Sequence, residues 1–183
     1  MMQLFQQGED VPLPNQPLNI ALRWSGAADF DLAAAYQTHE DQRGLVYFGD
    51  LGKRDEFPYI RLTQDQGVGD KQGHYQEIIH ISQFSTMKYI WFFCWDYHRA
   101  QNGEAARFTE GELSLHISNP QWQLDLFLPE SPNSNVCCIA LLDNTRMDEP
   151  RLLNLSVMGM LSGLKSLSQL LSLVDTEWVM QAA

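Results

Sequence analysis

The sequence has no run of about 18 or more apolar residues, so hydropathy gives it no membrane-spanning helix. Basic residues are scarce: 12 Lys and Arg stand against 23 Asp and Glu, for a net charge of −11. A chain of that sign repels phosphate backbones, which argues against broad nucleic-acid binding and favours cations, basic partners or simple solubility. Cysteine is also sparse. Cys94, Cys137 and Cys138 all sit inside apolar runs and read as small buried hydrophobes in a reducing compartment, not as a disulfide framework. The first residues, MMQLFQQGEDVPLPNQP, lack a basic stretch followed by an apolar one. No secretory signal is expected, and the protein is read as cytoplasmic.

The short motifs of catalysis are missing too. There is no Gly-x-Ser-x-Gly elbow, no phosphate loop ending in Gly-Lys-Ser/Thr and no Cys-x-x-Cys pair. Cys94 and His98 lie four apart, with His74 and His80 upstream, but Cys94 belongs to an apolar run and is read as a core thiol. Asp96-Tyr97-His98-Arg99 is read as a polar cap on a strand end. These absences point to a binding module, not an enzyme.

What the sequence does have is alternation. Leu18, Ile20, Leu22 and Trp24 share one face of a half-buried strand, and Phe30, Leu32, Ala34 and Tyr36 share one face of the next. Glu112–Ile117 and Trp122–Leu128 alternate too, Leu45–Phe48, Tyr59–Leu62 and Glu77–Ile81 read as further short strands, and Val136–Leu142 as an apolar one. Tyr89–Trp95, YIWFFCW, is apolar on both faces and predicts a central strand covered on both sides. Turn residues separate most of these segments. About eight or nine short strands with such spacing predict an all-β fold, an antiparallel β-sandwich.

After about residue 150 the pattern changes. Val157, Leu161, Leu164, Leu171 and Val174 recur at helical spacing over 156–174, with Trp178 following. They predict a C-terminal amphipathic α-helix, packed on the sandwich or used for self-association. Gly159 and Gly163 weaken it. The expected organisation is an N-terminal extension (1–17), the sandwich (18–150) and the C-terminal helical segment (151–183).

Two acidic clusters stand out. Alternation puts Asp29 and Asp31 on one face at a strand start, where like charges repel unless a cation lies between them. The second cluster is the glycine-rich stretch Asp65-Gln66-Gly67-Val68-Gly69-Asp70, followed by Glu77 at the start of the next strand. Carboxylates and inward-turned carbonyls are the ligand set of Ca²⁺, though without EF-hand spacing.

These residues resemble a family. GAADFDLAAAY, VYFGDL, QDQGVGD and a Glu leading a strand follow the order of the TerD-type domain of tellurium-resistance and stress proteins. FPYIRLTQDQ and SNVCCIALLDN are similar to segments of its TerA branch. The likeness spans about residues 18–145. It implies a β-sandwich with one Ca²⁺ site formed by Asp29, Asp31, Asp65 and Asp70, backbone oxygens of Gln66, Gly67 and Val68, and Glu77. It also implies assembly with related stress proteins. Ala33 stands where the family's third strand acid falls, and Lys71–His74 replace a run of acids, so a lowered affinity is expected. The alternative is a metal-independent scaffold subunit that has lost its site.

Overall fold

The computed structural model describes residues 2–4, 6–26, 28–63, 73–108 and 113–174, with 2–4 and 107 as backbone only. The strands in chain order are β1 (Met2–Leu4), β2 (Asp10–Pro12), β3 (Leu18–Ser25), β4 (Phe30–Thr38), β5 (Arg43–Val46), β6 (Gly52–Lys53), β7 (Ile60–Leu62), β8 (His74–Ile81), β9 (Met87–Asp96), β10 (Ala106–Phe108), β11 (Leu113–Asn119), β12 (Trp122–Phe127), β13 (Ser131–Ser134), β14 (Val136–Asp143) and β15 (Arg151–Gly159). Two short helices, α1 (Tyr97–Asn102) and α2 (Leu167–Leu171), complete the described elements. Among the described residues, no helix is long and apolar enough to cross a membrane.

The strands form a β-sandwich. One sheet has the order β1-β12-β11-β3-β8-β7-β6, antiparallel except where β1 joins β12 in parallel. The other, β2-β15-β14-β9-β4-β5, is antiparallel throughout. The residues picked out by alternation meet between them. Ile20, Leu22 and Ile117 from the first sheet pack against Leu32, Phe92 and Leu142 from the second. The outer side of the first sheet carries exposed Asn19, Arg23 and Gln76. It also carries a cross-strand pair, His116 Nδ1 to Asp125 Oδ1, at 2.5 Å.

The second sheet is buried on both sides, which is why β9 reads as apolar on both faces. Trp91, Phe93 and Trp95 form a second, outer core with Cys138 and Leu155. Leu161, Leu170 and Val174 of the C-terminal segment cover it. All three cysteines are buried and free, and burial raises their thiol pKa values above the ordinary value of 9.0.

The helix expected over 156–174 is corrected. Residues 151–159 continue the sheet, pairing with β14 from Arg151 to Gly159, and only Leu167–Leu171 is helical. Because both faces of β15 meet apolar layers, the segment shows no alternation to distinguish it from a helix. Gly163 has φ +83°, outside the right-handed helical region. The segment lies against its own sandwich. Residues ahead of Leu18 supply a strand to each sheet, β1 and β2.

Two buried asparagines hold the loops that flank β14. Asn135 donates through Nδ2 to the Leu161 carbonyl (2.8 Å) and the Glu104 carbonyl (3.0 Å), while its Oδ1 accepts from Leu161 N (2.7 Å). Asn144 donates to the carbonyls of Met87 (2.8 Å) and Phe84 (3.1 Å). At the first of these ends, α1 follows β9 directly. Asp96 caps it by accepting from Arg99 N at 3.0 Å, and Gly103 closes it with φ +67°.

Candidate functional site

Strand register brings Asp29, Asp31 and Glu77 toward one end of the sandwich. β3 ends where β8 begins, with Ser25 opposite His74, and β4 begins where β9 ends, with Phe30 opposite Asp96. Thr63 leads into the glycine-rich stretch, and its backbone and hydroxyl both donate to the Ile78 carbonyl, at 2.8 and 3.0 Å. Asp65, Gln66, Gly67, Val68 and Asp70 themselves lie outside the described residues.

Asp29 stands just before β4. Its carbonyl accepts from Tyr97 N at 2.9 Å, which fixes the approach to the strand. Its carboxylate is more than half exposed and lies 3.5 Å from His98 Nε2. Trp24 Nε1 secures the same approach by donating to the Ala28 carbonyl at 2.9 Å. Asp31 is partly buried inside β4, opposite Trp95. By alternation it shares a face with Ala33 and Ala35 of the outer core, whereas Leu32 faces the inner one.

Glu77 is buried on β8 and shares the inward face with Ile79 and Ile81. Its Oε2 accepts from Leu32 N at 2.6 Å. The reason is local. β5 pairs with β4 only as far as Ala34, so the β4 edge is open at Leu32. A carboxylate from the facing sheet supplies the acceptor that the ladder lacks there. Asp31 therefore projects from β4 on the outer-core face, while Glu77 reaches β4 from the facing sheet. Among the described residues, no group of three or more His, Cys, Asp or Glu side chains is arranged to hold a metal ion.

The same end carries residues read above as part of a strand and as a polar strand cap, not as parts of a site. Tyr47 and Phe48, in the turn after β5, meet Tyr97 and His98 of α1 in a row of rings. The turn was visible in Phe48-Gly49-Asp50, but Asp96-Tyr97-His98-Arg99, expected to cap a strand end, instead opens a short helix bounded by Asp96 and Gly103. Their meeting was not visible, because it depends on strand pairing across about fifty positions.

The opposite end differs. A cleft of about 210 Å³ lies beside β14 and β15, bordered by Asp10, Asp143, Arg146, Glu149 and Arg151. Its charges are paired with one another: Arg151 with Asp10, and Arg146 with Glu149 at 3.2 Å. Asp143 Oδ1 accepts from the backbone and hydroxyl of Thr145 at 2.9 and 2.7 Å.

No protein-family model matches the chain, and no curated protein matches it either.

Proposed function

We propose that this protein is a TerD-like module that binds calcium at one end of its sandwich and acts through contact with other stress- or tellurium-resistance proteins, not as an enzyme. The observation that carries this reading is that Asp29 and Asp31 open β4 at the end where β7 leaves for, and β8 returns from, the glycine-rich stretch. Carboxylates are hard oxygen donors that suit Ca²⁺, and Asp29 is exposed enough to take an ion without surrendering a buried bond. Bound calcium would offset the repulsion between these carboxylates and those of Asp65 and Asp70. Glu77, bonded to Leu32 N, braces β4 beside the site.

Thermal unfolding with and without calcium tests it, with magnesium as control. A transition raised by about 3–6 °C at ten times the Kd is expected. Asp29→Asn with Asp31→Asn, or Asp65→Ala with Asp70→Ala, should abolish the rise. No shift in the unaltered protein at 10 mM calcium (roughly ten times the weakest extracellular-type affinity) rejects the metal.

A second reading, a metal-independent scaffold subunit, is favoured by Glu77, since one expected ligand already serves a backbone donor. It predicts no calcium response and partner association that EDTA leaves unchanged, readable by sedimentation velocity.

A further inference from the structure

The ring row at the site end has the build of a docking surface. Tyr47 and Phe48 have centroids 5.0 Å apart, Phe48 and Tyr97 5.7 Å, and Tyr97 and the His98 imidazole 5.4 Å. All three contacts are edge-to-face, with interplanar angles of 67°, 82° and 79°. Phe48 is 49% exposed, although phenylalanines elsewhere in the core are fully buried. The His98 and Asp29 side chains at the end of the row are 75% and 56% exposed.

Backbone bonds hold the row in place. Tyr47 and Asp50 exchange two hydrogen bonds, of 2.9 and 3.0 Å, closing the turn that presents Phe48. Asp50 Oδ1 accepts from Gly52 N at 3.1 Å. A Cβ on Gly49 would fall 2.5 Å from the Tyr47 ring, so only glycine lets that ring fold back over the turn. On the other side, Asp96 caps α1 and Tyr97 N is fixed to the Asp29 carbonyl. Rings fixed before a partner arrives lose little entropy when it binds.

The local charge selects the partner. Asp29 lies at one end of the row and Asp50 within the turn. Among the described residues, Arg99 is paired with Glu104 at 2.9 Å and Lys53 with Glu56 at 2.7 Å. The chain as a whole carries −11. Aromatic faces beside a carboxylate match a guanidinium, which stacks on rings and bonds to carboxylates with the same planar fork. We propose that Phe48, Tyr97 and Asp29 form a docking site for an arginine-bearing segment of a protein partner. Tyrosine and arginine are also the residue types that dominate interface energetics. The site does not depend on calcium, although calcium at Asp29 would compete for the same carboxylate.

The test is an amide-shift titration of the full chain at physiological salt in EDTA. The probe is a short, otherwise neutral peptide with one arginine, and the control replaces that arginine with uncharged citrulline. Shifts confined to 29, 47–50 and 97–99, and several-fold weaker binding of the citrulline peptide, are expected. Phe48→Leu keeps apolar bulk but removes the ring and should weaken binding about three-fold. Asp29→Asn should weaken it at least as much. Asp148→Asn, an exposed acid at the far end, should change nothing. Shifts scattered over the acidic surface, equal binding of citrulline, or an indifferent Phe48→Leu would overturn the proposal. So would tetramethylammonium binding the row as tightly as the peptide, because the occupant would then be a small cation. Because the titration runs in EDTA, failure of the calcium reading leaves its outcome unaffected.

Discussion

Each end of the sandwich is tied by one buried asparagine, Asn144 at the end bearing the cleft and Asn135 at the end bearing Asp29. Beyond that the two ends diverge. At the cleft, Arg151 meets Asp10, Arg146 meets Glu149, and Asp143 turns back on Thr145, so polar groups satisfy one another. At the Asp29 end, a carboxylate and half-exposed rings face solvent on a scaffold held by backbone bonds. The first arrangement stabilises a fold. The second keeps an exposed carboxylate, 3.5 Å from His98, and exposed rings on a scaffold fixed by backbone bonds.

The largest expected effect comes from cutting the two ties. Asn135→Ala leaves both polar groups of Leu161 and the Glu104 carbonyl without their partner. At about 1–3 kcal/mol for a buried group left unmade, a loss of roughly 3 kcal/mol is expected in urea unfolding. Asn144→Ala should cost about 2 kcal/mol. The two should also differ in place. Only Asn135→Ala should speed amide exchange in α1 and over residues 161–171, since of the two asparagines only Asn135 bonds to Glu104, just past α1, and to Leu161. Equal exchange at both ends in both variants would erase the distinction between them.

An effect no larger than that of Asn144→Ala separates bracing from ligation at Glu77. Glu77→Ala removes the acceptor of Leu32 N inside the sandwich and should cost about 2 kcal/mol. Glu77→Gln keeps an oxygen in reach and should recover more than half of that. If Glu77 only braces β4, Glu77→Gln also leaves calcium affinity within about two-fold, and calorimetry reads this directly (~0.4 kcal/mol).

How much of this was legible in the sequence follows from burial. Strands with one wet face, such as β3 and β11, announce themselves by alternation. β9 announces a doubly covered strand by lacking it. β15 does neither: Leu152 faces the inner core while Leu153 and Leu155 face the outer one, so only an apolar run survives, and Val157 near its end falls by accident into helical spacing with Leu161, Leu164, Leu171 and Val174. α1 has one buried residue, Ala100, and no stripe to detect, leaving only its caps as signals. At the site, Asp29 and Asp31 were visible as letters. The Glu77 bond to Leu32 N was not, because it exists only where β5 stops short of β4.

The smallest effect concerns pH and belongs to the far side of β8. His80 pairs through Nδ1 with Asn19 Oδ1 on β3 and lies opposite Arg61 on β7. Burial, and then the charge of Arg54, lower its pKa from the ordinary 6.5. The folded state therefore holds its proton less readily than the unfolded chain. Below about pH 6.5 the unfolded chain takes up a proton that the folded one resists, so stability is full above that pH and declines as pH falls through it. The other titratable groups are common to both proteins, so the difference between the unaltered protein and His80→Gln isolates this one group. Between pH 7.5 and 5.5 the variant should lose less stability than the unaltered protein in chemical denaturation, by a margin well below that of either asparagine. A variant that declines as steeply would mean that His80 is as open to water as the residues at the Asp29 end.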